Sequence, residues 1–308
     1  MMDQALAFKS KFNGKKSRHD VHDEALDWYL QFSKKDGNEK KRFESFYDWP
    51  IYGLPNVSKE SLLWTTNLSS VLFDLDDYLS FKLGNNEVIN YDEITLKLFH
   101  SDHKIDTGDE YDNTLNGVQT ALREFNKLCN HNYNGKMLYN NWEEWFHNAY
   151  FDRIISPVFN DVGKYIIYRR PNVGMKGFID MVFIGLGYDF PIDIHLDIDF
   201  IKIKQLCVDH MGIMNDLCSQ NREKKTEEKP CNILNIISAE EALILVENIE
   251  DRILALIEKL KTKKLNFNGI DYKAQVIDIC ENMKDMCAGN IEWSKVCKRY
   301  NNQEIYTA

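Results

Sequence analysis

Asn215-Asp216-Leu217-Cys218-Ser219-Gln220-Asn221-Arg222-Glu223 places an amide, a hydroxyl and a carboxylate at positions i, i+4 and i+8 of a helix-like segment. An α-helix turns about 100° per residue, so Asn215, Ser219 and Glu223 fall within a quarter of its circumference and converge on one point. This hard-oxygen set of low charge suits a Mg²⁺ that keeps positions open for water and substrate phosphate, not one caged by protein. Arg222 adds a guanidinium that stays charged and can reach the same phosphate. Taken alone, the stretch also reads as an exposed helix rich in Asn, Ser and Glu, so other segments must decide.

Upstream, Val71-Leu72-Phe73-Asp74-Leu75-Asp76-Asp77-Tyr78-Leu79-Ser80-Phe81 sets paired carboxylates after an apolar run. On a helix, Phe73, Asp76, Asp77 and Ser80 share one face at i, i+3, i+4 and i+7. In Tyr165-Ile166-Ile167-Tyr168-Arg169-Arg170-Pro171-Asn172-Val173-Gly174, a helix carrying two arginines meets Pro171 and Gly174 and should break. A broken helix exposes backbone carbonyls whose partial negative charge can steady a cation. Near the end of the chain, Gly289-Asn290-Ile291-Glu292-Trp293-Ser294-Lys295-Val296-Cys297-Lys298-Arg299-Tyr300 carries a guanidinium and a phenol side by side, both able to donate to phosphate oxygens.

In order and approximate spacing these four segments resemble the class I terpene synthases of microbial type, from the Leu54-Pro55 turn to Tyr300. The resemblance implies a single all-α domain, the class I terpenoid helical bundle with a central cavity. It implies a second metal motif in Asn215, Ser219 and Glu223, and a first, aspartate-rich one in which Asp76 bridges metals. Asp77 would belong to that motif as a structural or supporting partner. Ser80 stands where the family usually has an acidic residue, which weakens metal affinity there. Arg169 would be the diphosphate sensor, or Arg170 if the register slips by one. Asn172 would be the linker and Val173 the residue whose carbonyl faces the substrate cation. Arg222, Arg299 and Tyr300 would grip the diphosphate, and Phe73 and Trp293 would wall the cavity.

The implied activity is ionisation of a prenyl diphosphate with three Mg²⁺, then carbocation cyclisation and release of a terpene and diphosphate. Farnesyl diphosphate is favoured as the commoner substrate of short members, with geranylgeranyl diphosphate as the other candidate. Three other readings compete. A chain-elongating prenyl diphosphate synthase would carry two aspartate-rich motifs, and here the second holds Asn and Ser. A non-catalytic protein could retain the fold. Read as a strand, Val71–Asp77 resembles the first motif of haloacid-dehalogenase-type phosphatases, with Asp74 as nucleophile and Asp76 as acid/base. That match stops at Tyr78, where a small Thr or Val is needed, and the later Gly108–Asp112 stretch follows polar residues at a spacing short by one.

Composition agrees with a helical domain spanning 1–308, with residues 1–20 as a flexible tail. Six prolines and fifteen glycines are few for 308 residues, and apolar/polar alternation is scarce. Helical patterns are predicted near 22–34, 59–82, 112–130, 138–169, 175–188, 198–222, 238–262 and 270–299. Polar breaks are expected at Asn130 to Gly135, Pro191 to Asp193, Lys224 to Pro230 and Asn266 to Gly269. Ser238-Ala239-Glu240-Glu241 is a capping box. Trp64, Trp142, Trp145, Phe178, Phe183 and Tyr188 read individually as core filler.

Seven cysteines without a C-x-x-C pair read as reduced core thiols of a cytoplasmic protein, and eight histidines offer no H-E-x-x-H zinc site. No signal core or run of about twenty apolar residues occurs, so no membrane span is expected. A net charge of −10 without a basic stripe argues against nucleic acid as a partner. A homodimer is compatible with these observations.

Overall fold

The structure, a computed structural model, describes residues 7–84, 87, 89–129, 133–155, 157–226 and 231–301. Its helices are α1 (His22–Phe32), α2 (Glu39–Phe46), α3 (Trp49–Gly53), α4 (Lys59–Gly84), α5 (Tyr91–His100), α6 (Asp112–Leu128) and α7 (Tyr133–Ile155). They continue as α8 (Val162–Asn172), α9 (Met175–Gly185), α10 (Ile192–His195), α11 (Ile198–Thr226), α12 (Ala239–Thr262), α13 (Lys273–Val296) and α14 (Lys298–Asn301). Among the described residues the β-structure is one antiparallel hairpin pairing Asn266–Phe267 with Ile270–Asp271. No helix among them is long and apolar enough to cross a membrane.

Helical spacing explains the packing. In α6, Leu115, Val118, Leu122 and Phe125 recur at i, i+3, i+7 and i+10, are all buried, and form the stripe that meets α4. The central α4 is buried on more than one side, including at its polar residues. Thr65, Thr66 and Ser70 donate to the carbonyls of Ser61, Leu62 and Thr66 at 2.8, 2.9 and 2.7 Å, so burying these hydroxyls leaves no unmet donor. At the start of α12, Ser238 and Glu241 form the expected capping box.

Several boundaries differ from the sequence reading. The helix expected over 138–169 is two: α7 ends at Ile155, Pro157 follows, and Asp161 starts α8 by accepting from the Lys164 N–H at 2.7 Å. The break anticipated at Pro171 falls later. Proline near a helix C-terminus forgoes one backbone hydrogen bond, and the carbonyl that loses its partner belongs to Ile167, an exposed residue able to use water. The chain turns instead at Gly174, whose φ of 73° favours glycine.

Further differences concern short elements and the N-terminal segment. The one-turn α10 begins inside the expected break at Pro191 to Asp193, and Tyr133 to Gly135 are helical. Helices α2, α3, α5 and α14 were not anticipated. Of the expected break at Lys224 to Pro230, Lys224 to Thr226 are helical and Glu227 to Pro230 lie outside the described residues. From residue 7 onward the supposed flexible tail lies along the bundle. Phe8 and Phe12 are buried, the Lys11 N–H donates to the buried Glu250 carboxylate at 2.8 Å, and the Ser17 N–H donates to the Ile51 carbonyl at 2.8 Å.

Candidate active site

A cavity of about 150 Å³, measured to water centres, opens between α4, α7, α8, α9, α11 and α13. One water needs roughly 10–15 Å³ on that measure, so the space holds a much larger guest. The two acidic segments face each other across it, since Asp76 comes from α4 and Asn215, Ser219 and Glu223 from α11.

On the α4 wall, arginines meet both carboxylates of the Asp76-Asp77 pair. Asp76 Oδ1 accepts from Arg153 Nη2 at 2.8 Å and Oδ2 from Arg299 Nη2 at 3.3 Å. Asp77 receives a fork from Arg299, Nη1 to Oδ2 at 2.7 Å and Nη2 to Oδ1 at 2.8 Å, and a further bond from Arg222. Burial raises the Asp76 pKa, but Arg153, Arg299 and Arg222 outweigh it and hold the carboxyl below its ordinary value. Asp77 is thus bridged to Arg222 and Arg299 at the edge of the cavity.

Asp74 turns the other way. It is buried under α1 and α2, accepts from the Tyr29 hydroxyl at 2.7 Å and lies 3.6 Å from Arg42 Nε. Desolvation pushes its carboxyl up to about 7 despite that guanidinium. The segment is a helix, so Asp74 and Asp76 point about 200° apart and do not form the nucleophile and acid/base pair of a phosphatase.

On the α11 wall, Ser219 donates to Glu223 Oε1, and Glu223 Oε2 accepts from Asn232 Nδ2 at 2.9 Å. Asn215 donates from Nδ2 to the Tyr300 hydroxyl at 2.7 Å and accepts at Oδ1 from Arg169 Nη2 at 3.0 Å. Asp216, fully buried beside them, fixes Arg169 through its Nε at 3.1 Å. The Tyr165 hydroxyl and the Ile233 N–H, the latter at 3.1 Å, hold Asp216 in turn. Burial pushes the Asp216 carboxyl up while Arg169 opposes the shift. Arg170 points elsewhere and forks onto Asp209 at 2.7 and 2.9 Å, so only Arg169 of the two lines the cavity.

Asn172, which is buried, and Val173 line the cavity at the helix break. Arg299 and Tyr300 arrive on α14 from the other side. Arg299 is 4% exposed, with its guanidinium carbon 5.0 Å from the centre of the Phe73 ring. Trp293 packs its ring 5.5 Å from Tyr300 and 6.0 Å from Phe73, and donates through Nε1 to Asp48 at 2.9 Å. Of the thirteen residues given a site role outright, all except Asp77 line this one cavity, and Asp77 is tied to it by two arginines; Arg170, the alternative to Arg169, and Ser80 do not line it.

Reading the sequence missed much of the wall. Trp142, Trp145 and Phe178, which read as core filler in the sequence, line the cavity together with Trp49, Asp152, Arg153 and Asn290. Helical periodicity cannot separate a side chain facing a cavity from one facing a core, because both occupy the apolar stripe. Glycines set some of these positions: a Cβ on Gly177 would lie 2.3 Å from the Trp142 ring. The Trp49 indole donates to Asn290 Oδ1 at 3.2 Å.

Among the described residues no group of three or more His, Cys, Asp or Glu gathers to hold a metal ion alone. The donors here are mixed: the Asp76 carboxylate on one wall, and an amide, a hydroxyl and a carboxylate within one helical face on the other. Such sparse hard-oxygen donors fit a small cation that completes its coordination with water and phosphate oxygens.

A family model described as "Terpene synthase family 2, C-terminal metal binding" matches residues 68–259, a span containing both acidic segments and the helix break. The chain belongs to this terpene synthase family. Over 151 residues it is 26% identical to a sesquiterpene synthase of Piloderma croceum, covering 47% of this chain and 44% of that protein. Over 154 residues it is 25% identical to terpene synthase 2 of Dictyostelium discoideum, covering 46% and 44%. The chain thus matches less than half the length of these curated relatives. Two solved structures share the fold: a single-substitution variant of cucumene synthase, at TM-score 0.72, 16% identity, and 95% and 100% coverage of the two chains, and germacradien-4-ol synthase from Streptomyces citricolor, at 0.71, 17%, and 94% and 97%.

Proposed function

We propose that the protein is a class I terpene synthase that ionises farnesyl diphosphate with Mg²⁺ and cyclises the resulting cation. One observation carries this reading: an amphiphilic cavity whose charged walls hold Asp76, Asn215, Ser219, Glu223 and four arginines, and whose remaining lining includes Trp49, Trp142, Trp145, Phe178 and Trp293. A diphosphate with an apolar tail has the same division. The sesquiterpene synthases among the relatives support the fifteen-carbon substrate.

Asp76, Asn215, Ser219 and Glu223 would hold the Mg²⁺, three ions as the family resemblance implies. When bound, Mg²⁺ supplies Lewis-acid neutralisation of charge on the departing diphosphate. The protein's own part is preorganisation. Arg169 is held by Asp216 at a fixed angle, and Arg222 and Arg299 are held by Asp77, so their donors need little rearrangement as negative charge develops. Tyr300, bonded to Asn215, links the α14 segment to the α11 wall. The aromatic faces stabilise the allyl cation left behind and exclude water from it until a proton is lost.

Incubating the purified protein with Mg²⁺ and each prenyl diphosphate, then measuring diphosphate release and headspace hydrocarbons by mass spectrometry, tests the proposal. Farnesyl diphosphate should give a fifteen-carbon terpene, and Asn215→Ala or Glu223→Ala should abolish turnover while the helical circular dichroism stays intact. A longer prenyl diphosphate as product would mark a chain-elongating enzyme instead. Ligand binding without turnover would mark a non-catalytic protein.

A further inference from the structure

We propose that Glu250 is a positioning residue: its buried carboxylate latches residues 8–18 along the bundle, and this strap holds α3 in place and with it the Trp49 and Trp293 wall of the cavity. The consequence for products rests on the terpene synthase reading above, whereas the latch itself does not.

Residues 8–18 form no helix or strand, carry Lys9, Lys11, Lys15, Lys16 and Arg18, and contain no acidic residue. Glu250 on α12 is fully buried and accepts two hydrogen bonds from this segment, from Ser10 Oγ at 2.5 Å and from the Lys11 N–H at 2.8 Å, with His210 Nε2 3.1 Å away. Phe12, itself buried, stacks on the His210 ring at 5.9 Å. Burial raises the Glu250 pKa, but the hydrogen bonds from His210, Ser10 and Lys11 outweigh it and hold the carboxyl below its ordinary value. Two ion pairs of the strap, Lys11 with Asp251 at 2.5 Å and Lys15 with Asp285 at 3.1 Å, have exposed lysines and contribute little. Depriving a buried carboxylate of a donor costs more than breaking an exposed pair, so Glu250 is the stronger anchor.

From this anchor the chain runs to α3. Gly14 passes so close to α13 that an added Cβ would stand 3.1 Å from Glu292 Cγ. The Lys16 ammonium sits 4.4 Å from the centre of the Tyr52 ring, and the Ser17 N–H donates to the Ile51 carbonyl at 2.8 Å. Five residues including Pro50 are too few to hold a helical turn unaided, so α3 depends on such contacts. Two cavity aromatics depend on α3 in turn. Trp49 belongs to it, and Asp48, immediately before it, accepts from Trp293 Nε1 at 2.9 Å. A shift of the Asp48-Trp49 dipeptide moves both rings, and with them the surface on which an allyl cation would fold.

The test uses the full chain, with Ser10→Ala and Glu250→Gln as variants and Ser10→Thr as the conservative control. Hydrogen exchange read by mass spectrometry should show peptides spanning residues 14–18 and 48–54 exchanging at least about tenfold faster in both variants, the scale of one lost hydrogen bond to a charged group, while peptides from α4 and α7 stay unchanged. Ser10→Thr keeps the hydroxyl and should exchange as the unaltered chain does. With farnesyl diphosphate and Mg²⁺, the two variants should release a larger share of acyclic and alternative hydrocarbons than the unaltered chain, and Ser10→Thr should not. Faster exchange in every helix alike would mark a merely structural role and overturn the proposal, as would unchanged exchange at 48–54 in the folded variants. Faster exchange at 48–54 with an unchanged product mixture overturns control of the cavity by this latch. An unaltered chain that makes no hydrocarbon from any prenyl diphosphate overturns the functional reading, and the exchange measurement then decides by itself whether Glu250 holds α3.

Discussion

Arg169 and Arg170 are neighbours in sequence with opposite surroundings. Arg169 faces the cavity with Asp216 behind it and Asn215 beside it, while Arg170 forks onto Asp209 outside. A lysine is a point charge and cannot reproduce two bonds to two different partners. Arg169→Lys should therefore lower kcat/KM by roughly 10²–10³-fold, the scale seen when one preorganised donor is lost. Arg170→Lys should leave turnover within a few-fold and cost about 1 kcal/mol of stability or less, as for a partly exposed pair. Steady-state kinetics and urea unfolding of both variants check this, and equal kinetic losses would contradict the assignment of Arg169. Sequence left these two arginines open because Pro171 marks a break without fixing which residue precedes it on the inner face.

Helices α3 and α13 meet through Gly289, where a Cβ would lie 2.0 Å from the Tyr52 carbonyl oxygen. Backbone cannot rotate aside as a side chain can, so Gly289→Ala should destabilise by at least about 1–3 kcal/mol in urea unfolding. Gly212 on α11 is the control. Its nearest neighbours to an added Cβ are side-chain atoms 3.7 Å or more away, and Gly212→Ala should be neutral or stabilising by up to about 1 kcal/mol. The long elements were legible because α6, α11 and α12 carry stripes or capping signals that only a helix satisfies. The short ones were not. Helix α3 has five residues including Pro50, and α14 has four, too few to display a period; they exist because tertiary contacts such as Tyr52 on Gly289 and Arg299 on Asp77 hold them. For the same reason the acidic and amide residues of the site could be picked out by spacing, whereas Arg153 could not, since its partners lie 73 and 77 positions away.

Across the whole molecule the bundle and the cavity rest on different kinds of interaction. The bundle buries contiguous apolar stripes, and much of it comes from helices adjacent in sequence, such as α11 with α12 and α8 with α7. The charged rim joins residues far apart: Arg222 and Arg299 reach Asp77 across 145 and 222 positions, and Tyr300 reaches Asn215 across 85. Segments held by few apolar contacts open at lower free energy than the core they rest on. The four-residue α14 contributes Arg299 and Tyr300 from such a segment. On gradual heating, catalytic competence should consequently vanish several degrees before ellipticity at 222 nm collapses, and cooling from that interval should restore it. Coincident loss of both signals would mean that α14 melts only with the rest of the chain.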